Sequence, residues 1–197
     1  MIHINNFTTL LFYLCISILM THIATAAEPT LYQSAPNDWR SEVVELPLSF
    51  APDIDIKGIK ELRFSPGMFS SDSDTYFTYS FIWWLEGEPV FDAERLAEDV
   101  TRYYQGIYKL VSQKQMDVSG FAANFHHVGS RKLSFFEGSA ELIDPFVTEA
   151  PLVLNIKVEQ SFCKDQGHTA LFFKLSPQPF AGENWEVLDM QRAGECR

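Results

Sequence analysis

The sequence predicts an α+β domain: a mostly antiparallel sheet of six to seven strands, with one long amphipathic helix packed on one face. Apolar and polar residues alternate in six segments, as in strands that bury one face. A single segment instead repeats apolar residues every three or four positions, which indicates a helix. The connections between consecutive strands are short, and this favours antiparallel pairing with the helix covering one face.

The N-terminus has the features of an export signal. Residues 1–27 contain no Asp, Glu, Lys or Arg, and residues 10–20 are almost wholly apolar. That stretch is shorter than the roughly 20 residues needed to cross a bilayer as a helix. Ala24 and Ala26 are the small residues of a peptidase site. We predict a signal peptide cleaved after Ala26, with Ala27 as the alternative, and a periplasmic or secreted protein. An uncleaved anchor is the alternative, because no Lys or Arg precedes the apolar stretch.

The mature chain is predicted to be an extended N-terminal arm over residues 27–40 and a single domain over residues 41–197. The leader carries no charged side chain, so the net charge of −11 belongs to the mature part. This charge disfavours nucleic acid and anionic membranes as partners. The 17 Phe residues supply ample core material, and no later segment is long and apolar enough to span a membrane.

Three strands are predicted before the helix. The first alternates over residues 44–50, and Pro47 places it at an edge of the sheet because proline has no backbone donor. The second is short and covers residues 61–64. The third covers residues 76–85 and is the strongest, since one of its faces is wholly apolar and the other is mixed, as in an interior strand. Its apolar face consists of Phe77, Tyr79, Phe81, Trp83 and Leu85.

The helix is predicted to begin after Asp92, a favourable N-cap. Glu98 and Arg102 are spaced for an ion pair on its outer face. Gly106 lowers helix stability, and we interpret it as allowing a close approach to the sheet. The apolar stripe consists of Leu96, Val100, Tyr103, Tyr104, Ile107, Leu110 and Val111.

Further strands are predicted after the helix. Residues 131–143 are predicted to form either one long strand or a strand with a bulge, because Gly138 interrupts the apolar alternation. Residues 152–162 and 168–175 alternate on either side of a short polar loop with a glycine, which is typical of a β-hairpin. Residues 185–190 fit either a strand or one helical turn.

Two cysteines remain after removal of the leader, Cys163 and Cys196. An even number in an oxidising compartment favours one disulfide bond. Closing a loop of about 33 residues would stabilise the fold by roughly 3–4 kcal/mol. Two free thiols, or an intermolecular bond through Cys196, are the alternatives.

No catalytic residue, metal site or cofactor is predicted. His127, His168 and a carboxylate would make a conceivable zinc site, but no ligand motif supports it. No G-x-S-x-G nucleophile motif is present either. We interpret the histidines as ordinary surface or hydrogen-bonded residues.

Trp84 is the predicted binding residue. Alternation turns it away from the apolar face of its strand, towards Tyr76 and beside Glu86. A tryptophan among polar groups is typical of surfaces that bind sugars and other small ligands. Alternatively, Trp84 is covered by a loop or a second subunit.

The sequence therefore favours a non-enzymatic domain of the cell envelope that binds a small molecule, a glycan or an envelope protein. Either the Trp84 face or a groove between helix and sheet would be the binding surface. The alternative is a periplasmic or secreted hydrolase whose site is assembled only in the fold, with His127 and His168 as the candidate residues.

Overall fold

The computed structural model describes residues 30–112, 116–128 and 134–194. The predicted signal peptide and Cys196 lie outside these ranges. The described strands are β1 (Tyr32–Ser34), β2 (Arg40–Leu46), β3 (Gly58–Phe64), β4 (Tyr79–Glu86), β5 (Ala122–Val128), β6 (Ser134–Ile143), β7 (Pro151–Cys163), β8 (His168–Ser176) and β9 (Arg192–Ala193). The described helices are α1 (Ala93–Val111) and α2 (Glu183–Met190).

The predicted α+β architecture is confirmed. Seven strands form one sheet in the order β2-β3-β4-β8-β7-β6-β5, and every neighbouring pair is antiparallel. β1 and β9 form a separate two-stranded sheet. α1 packs on one face of the large sheet and shares its hydrophobic core. None of the helices within the described ranges is both long and apolar enough to span a membrane.

β4 lies in the interior of the sheet, between β3 and β8, as its two-sided burial predicted. It begins later than expected, at Tyr79. Tyr76 and Phe77 lie in the preceding turn, where Phe77 has a φ of 49°. A positive φ breaks the alternation of side chains, so the parity of β4 does not extend back to Tyr76.

The bounds of other strands also differ from prediction. β2 is the predicted edge strand, but it ends at Leu46, and the residues from Pro47 to Phe50 form the next turn. Gly138 lies within a continuous register, so of the two predicted alternatives the described part of β6 is the unbroken strand; a Cβ at Gly138 would overlap the carbonyl oxygen of Asn124. The β7–β8 hairpin is confirmed, and residues 183–190 form a helix rather than a strand.

α1 begins at the predicted cap, where Asp92 Oδ1 accepts a hydrogen bond from Arg95 N at 2.9 Å. The predicted pair of Glu98 and Arg102 is present at 3.0 Å. The predicted stripe is buried only in its first part. Leu110 and Val111, at the end of the helix, are exposed because α1 runs past the edge of the core.

The segment predicted as an arm contributes β1, which lies over the sheet face opposite α1. Tyr32 packs there against Ile82 and Phe172. Glu61 Oε2 accepts a hydrogen bond from Leu31 N at 2.5 Å. This face is therefore partly covered by the two-stranded sheet.

Candidate functional site

A cavity of about 230 Å³ lies between α1 and the β2–β3–β4 side of the sheet. α1 packs mainly beneath β5 and β6, which leaves a gap below the opposite half of the sheet. Side chains that face the helix from three strands form one wall, and the second half of α1 forms the other. The wall residues include Leu62, Phe64, Tyr79, Tyr103, Tyr104 and Ile107.

Two turns complete the cavity wall. Phe50 follows β2 and packs on Tyr103, with ring centroids 5.5 Å apart. Phe146 lies in the turn after β6 and packs against Phe69 and Phe77. The wall is therefore aromatic on most sides, an environment that suits apolar ligands.

Lys60 lies on the floor of the cavity, although it is a strand residue that points into the core. Its side chain is only 2 % exposed. Its Nζ donates a hydrogen bond to Tyr103 Oη at 2.6 Å. The same Nζ lies 4.2 Å from the ring centroid of Phe81 and 4.0 Å from that of Tyr103. Burial lowers the pKa of Lys60 well below its usual value, and the charge of Glu42 only partly opposes this shift.

Tyrosine hydroxyls supply the other polar groups of the floor. Tyr79 Oη and Tyr104 Oη are 2.6 Å apart, and both residues line the cavity. Burial raises the pKa of Tyr79, Tyr103 and Tyr104 well above 10, so all three hydroxyls stay protonated at neutral pH. The floor thus combines an amine with hydroxyl groups, in a largely apolar space.

The mouth of the cavity is apolar and open to solvent. Phe69, Leu110, Val111 and Phe146 line it, and all four are exposed, Leu110 by 63 %. The guanidinium of Arg40 lies 5.2 Å from the ring centroid of Phe69, at the same rim. Exposed apolar residues around a cavity are a feature of binding sites.

The residues of the predicted binding surface are only partly brought together. Trp84 and Glu86 lie on the face opposite the cavity, in a shallow depression that also contains His168. The rings of Trp84 and His168 stack, with centroids 5.1 Å apart and planes at 11°. Tyr76 is not part of this surface. It lies beyond the other end of β4 and donates a hydrogen bond to Asp144 Oδ2 at 2.5 Å.

The two histidines of the hydrolase hypothesis lie on opposite faces of the sheet. His127 pairs with Phe136 in the register of β5 and β6, on the helix side, whereas His168 pairs with Glu86 on the other side. They cannot act on one substrate or bind one metal ion. Within the described part of the chain, no group of three or more His, Cys, Asp or Glu residues could hold a metal ion.

Sequence reasoning missed Lys60, because the predicted second strand began at residue 61. β3 begins at Gly58, so Lys60 shares the face of Leu62 and Phe64. Continuing the alternation from Leu62 back to Lys60 would have placed a lysine on an apolar face. A charged residue at an apolar position is the sequence signal of an unusual environment.

Comparison of the chain with protein-family models, with curated proteins and with solved structures found no match.

Proposed function

We propose that this domain is a binding protein of the cell envelope that holds the apolar part of a small molecule in the cavity between α1 and the sheet. The cavity with its exposed apolar rim carries the proposal. Its volume exceeds the roughly 150 Å³ of an engineered apolar cavity that takes up benzene. A longer ligand would extend from the cavity across the rim.

Binding is favoured over hydrolysis by the groups that converge there. Lys60 and three tyrosines are the polar groups of the floor, and His127 and His168 are too far apart to form a site with each other. A hydrolytic site needs a nucleophile or activated water beside a base. On the floor, the tyrosine hydroxyls stay protonated, and the hydrogen bond of Lys60 goes to one of them rather than to a histidine or carboxylate, so the groups suit recognition of a ligand.

The cavity is also favoured over the Trp84 surface. One side of the Trp84 indole is stacked on His168, and the depression around it is shallow. Trp84 and Glu86 remain the proposed residues of a second, weaker surface for a glycan, since carboxylates beside a partly exposed indole suit sugar hydroxyls.

Export belongs to the proposal as well. A cleaved signal peptide and a disulfide between Cys163 and Cys196 would both place the domain in the periplasm or outside the cell.

The strands that line the cavity are paired continuously in one sheet. Such a frame suits a rigid binding site, because a preformed site loses little entropy on binding.

The test uses two neighbouring valines of β2. Val44 lines the cavity, while Val43 is exposed on the opposite face. The mature protein should take up the apolar fluorescent probe 1-N-phenylnaphthylamine. Val44→Phe should weaken uptake by about tenfold or more, since the added ring fills part of the cavity. Val43→Phe should leave uptake unchanged.

Equal effects of the two valine variants would argue against the cavity. Trp84→Ala gives a further control: if this variant alone abolishes uptake, the apolar probe binds at the Trp84 surface and the proposed site is wrong. Circular dichroism of each variant would establish that the fold is retained.

A further inference from the structure

The described part of the chain contains two lysines that are almost completely buried, Lys60 and Lys174. Each has 2 % of its surface exposed, and the two lie on opposite faces of the same sheet. Lys174 follows the usual rule for a buried ammonium. Its Nζ donates to Glu159 Oε1 at 2.5 Å, and Asp189 Oδ1 lies 4.0 Å away.

Lys60 has no such partner among the described residues. Its hydrogen bond goes to the neutral Tyr103 hydroxyl, and its other close neighbours are aromatic rings. The groups facing it are Arg40 and Glu42 from β2, Tyr79 from β4, and Tyr103 and Tyr104 from α1. Glu42 is the one carboxylate among these five; its charge acts on Lys60, but the two side chains form no ion pair within 4.0 Å. The amine therefore faces the cavity without a directly paired anion among the described residues.

We infer that the cavity takes a ligand with a carboxylate group, which pairs directly with Lys60, while the apolar part of the ligand lies against the aromatic wall and the rim. This inference rests on the proposed function and names the ligand class. An apolar monocarboxylate, such as a fatty acid, fits these requirements.

A single carboxylate matches the donors on the floor. Its oxygens could accept from Lys60 Nζ and from the Tyr103 hydroxyl, which are already 2.6 Å apart. A phosphate or sulfate ester presents three terminal oxygens, and a phosphate monoester also carries more charge than one amine and a few hydroxyls can satisfy in an apolar space. The net charge of −11 does not prevent binding of an acid, because repulsion from distant surface charges is screened beyond about 8 Å at physiological ionic strength.

Binding of an acid should be coupled to uptake of a proton. Burial without an anion favours the neutral amine, and a carboxylate at hydrogen-bond distance favours the ammonium. The complex therefore binds protons that the free protein lacks. A neutral ligand of the same length would not produce this uptake.

The experiment compares octanoate with 1-octanol by titration calorimetry on the mature protein, in two buffers with different ionisation enthalpies. The wild type should bind octanoate about ten- to a hundredfold more tightly than 1-octanol, with net proton uptake for octanoate alone. Lys60→Met keeps the length and apolar stem of the side chain. It should abolish both the preference for octanoate and the proton uptake, so that octanoate and 1-octanol bind this variant with similar affinity.

Lys174→Met is the matched control, since it removes the other buried lysine and should change neither quantity. If neither ligand binds the wild type, the proposed function itself fails. If both ligands bind equally, the cavity stands and the carboxylate inference is overturned. A preference for octanoate that persists in Lys60→Met would also overturn it, because another cation such as Arg40 would then recognise the acid.

Discussion

Asp144 shows how a single buried carboxylate positions part of the cavity wall. Its side chain accepts hydrogen bonds from Phe146 N at 2.8 Å, Thr148 N at 2.5 Å, Thr148 Oγ1 at 2.8 Å and Tyr76 Oη at 2.5 Å. Burial alone would raise the pKa of Asp144, but these hydrogen bonds outweigh burial and lower it. They hold the turn that carries Phe146 into the cavity wall.

Asp144→Asn should lower the free energy of unfolding by about 2–3 kcal/mol at neutral pH, since a neutral amide accepts fewer and weaker hydrogen bonds. The stabilisation from the carboxylate is present above its ordinary pKa of 3.8 and is lost as the pH falls through the lower pKa of the folded state. The difference in the free energy of unfolding between wild type and Asp144→Asn, measured by urea denaturation, should therefore shrink as the pH falls below 3.8.

Asp165→Asn is the control, because Asp165 lies exposed in the β7–β8 turn and should be replaceable at little cost. An Asp144→Asn protein as stable as the wild type would show that the turn is held by its other contacts. A difference that grows with acidification would contradict the assigned sign of the pKa shift.

The secondary structure was predictable where burial imposes a regular period on the sequence. β7 and α1 each bury one continuous face, and β4 and β8 are apolar enough to be buried on both faces, so their patterns are strong. β5 was missed because its sequence, AANFHHV, alternates weakly and none of its residues is fully buried. The short β1 and β9 depend on each other for pairing, a long-range contact that no local pattern reports.

The site was predictable only in outline. A groove between helix and sheet follows from the amphipathic helix, but its contents depend on contacts that are distant in sequence. Lys60 meets Tyr103 across 43 residues, and Phe146 joins Phe69 through a turn with no local signal. The parity that placed Tyr76 beside Trp84 failed at Phe77, where a turn replaces the strand.

Gly106 tests how α1 fits against its neighbours. It was predicted to allow close approach to the sheet; instead a Cβ there would overlap the backbone of Phe50, in the turn after β2. Alanine favours helix by about 1 kcal/mol, but overlap in a packed contact costs roughly 1–3 kcal/mol. We expect Gly106→Ala to lower both the midpoint of thermal unfolding and probe uptake, since Phe50 lines the cavity.

Gly120→Ala is a suitable control for this prediction. A Cβ at Gly120 would meet no atom within 4 Å, so the same chemical change carries no steric penalty there. A Gly106→Ala protein more stable than the wild type would contradict the prediction. It would show that the gain in helix propensity exceeds the cost of moving the Phe50 turn away from the new Cβ.

At the scale of the whole molecule, the two ends of the described chain meet on the sheet face opposite the cavity. Gly194 N donates to Leu31 O, at 2.6 Å, beside the pairing of β1 and β9. Buried hydrogen bonds join the same region, since Ser80 Oγ lies 2.8 Å from Tyr32 Oη and donates to Gln191 Oε1 at 2.6 Å. These contacts fasten both ends without blocking the cavity.

This arrangement also brings the C-terminal segment towards Cys163. Ala193 packs against the apolar cluster that contains Ala170, and Ala170 pairs with Ser161, two residues before Cys163. Cys163 is fully buried and lies on the same face of the sheet, since its register partner is His168.

We therefore predict that Cys163 and Cys196 are joined in the exported protein. Its intact mass, measured after denaturation without reductant, should correspond to a chain that begins at Ala27 or Glu28 and is lighter by two hydrogens. Replacing both cysteines by serine should lower the free energy of unfolding by about 3–4 kcal/mol, because the unfolded chain loses its closed loop. Loss of probe uptake should be small, since the bond lies across the sheet from the cavity. Two thiols that react with iodoacetamide before reduction, or a covalent dimer, would contradict the intramolecular bond.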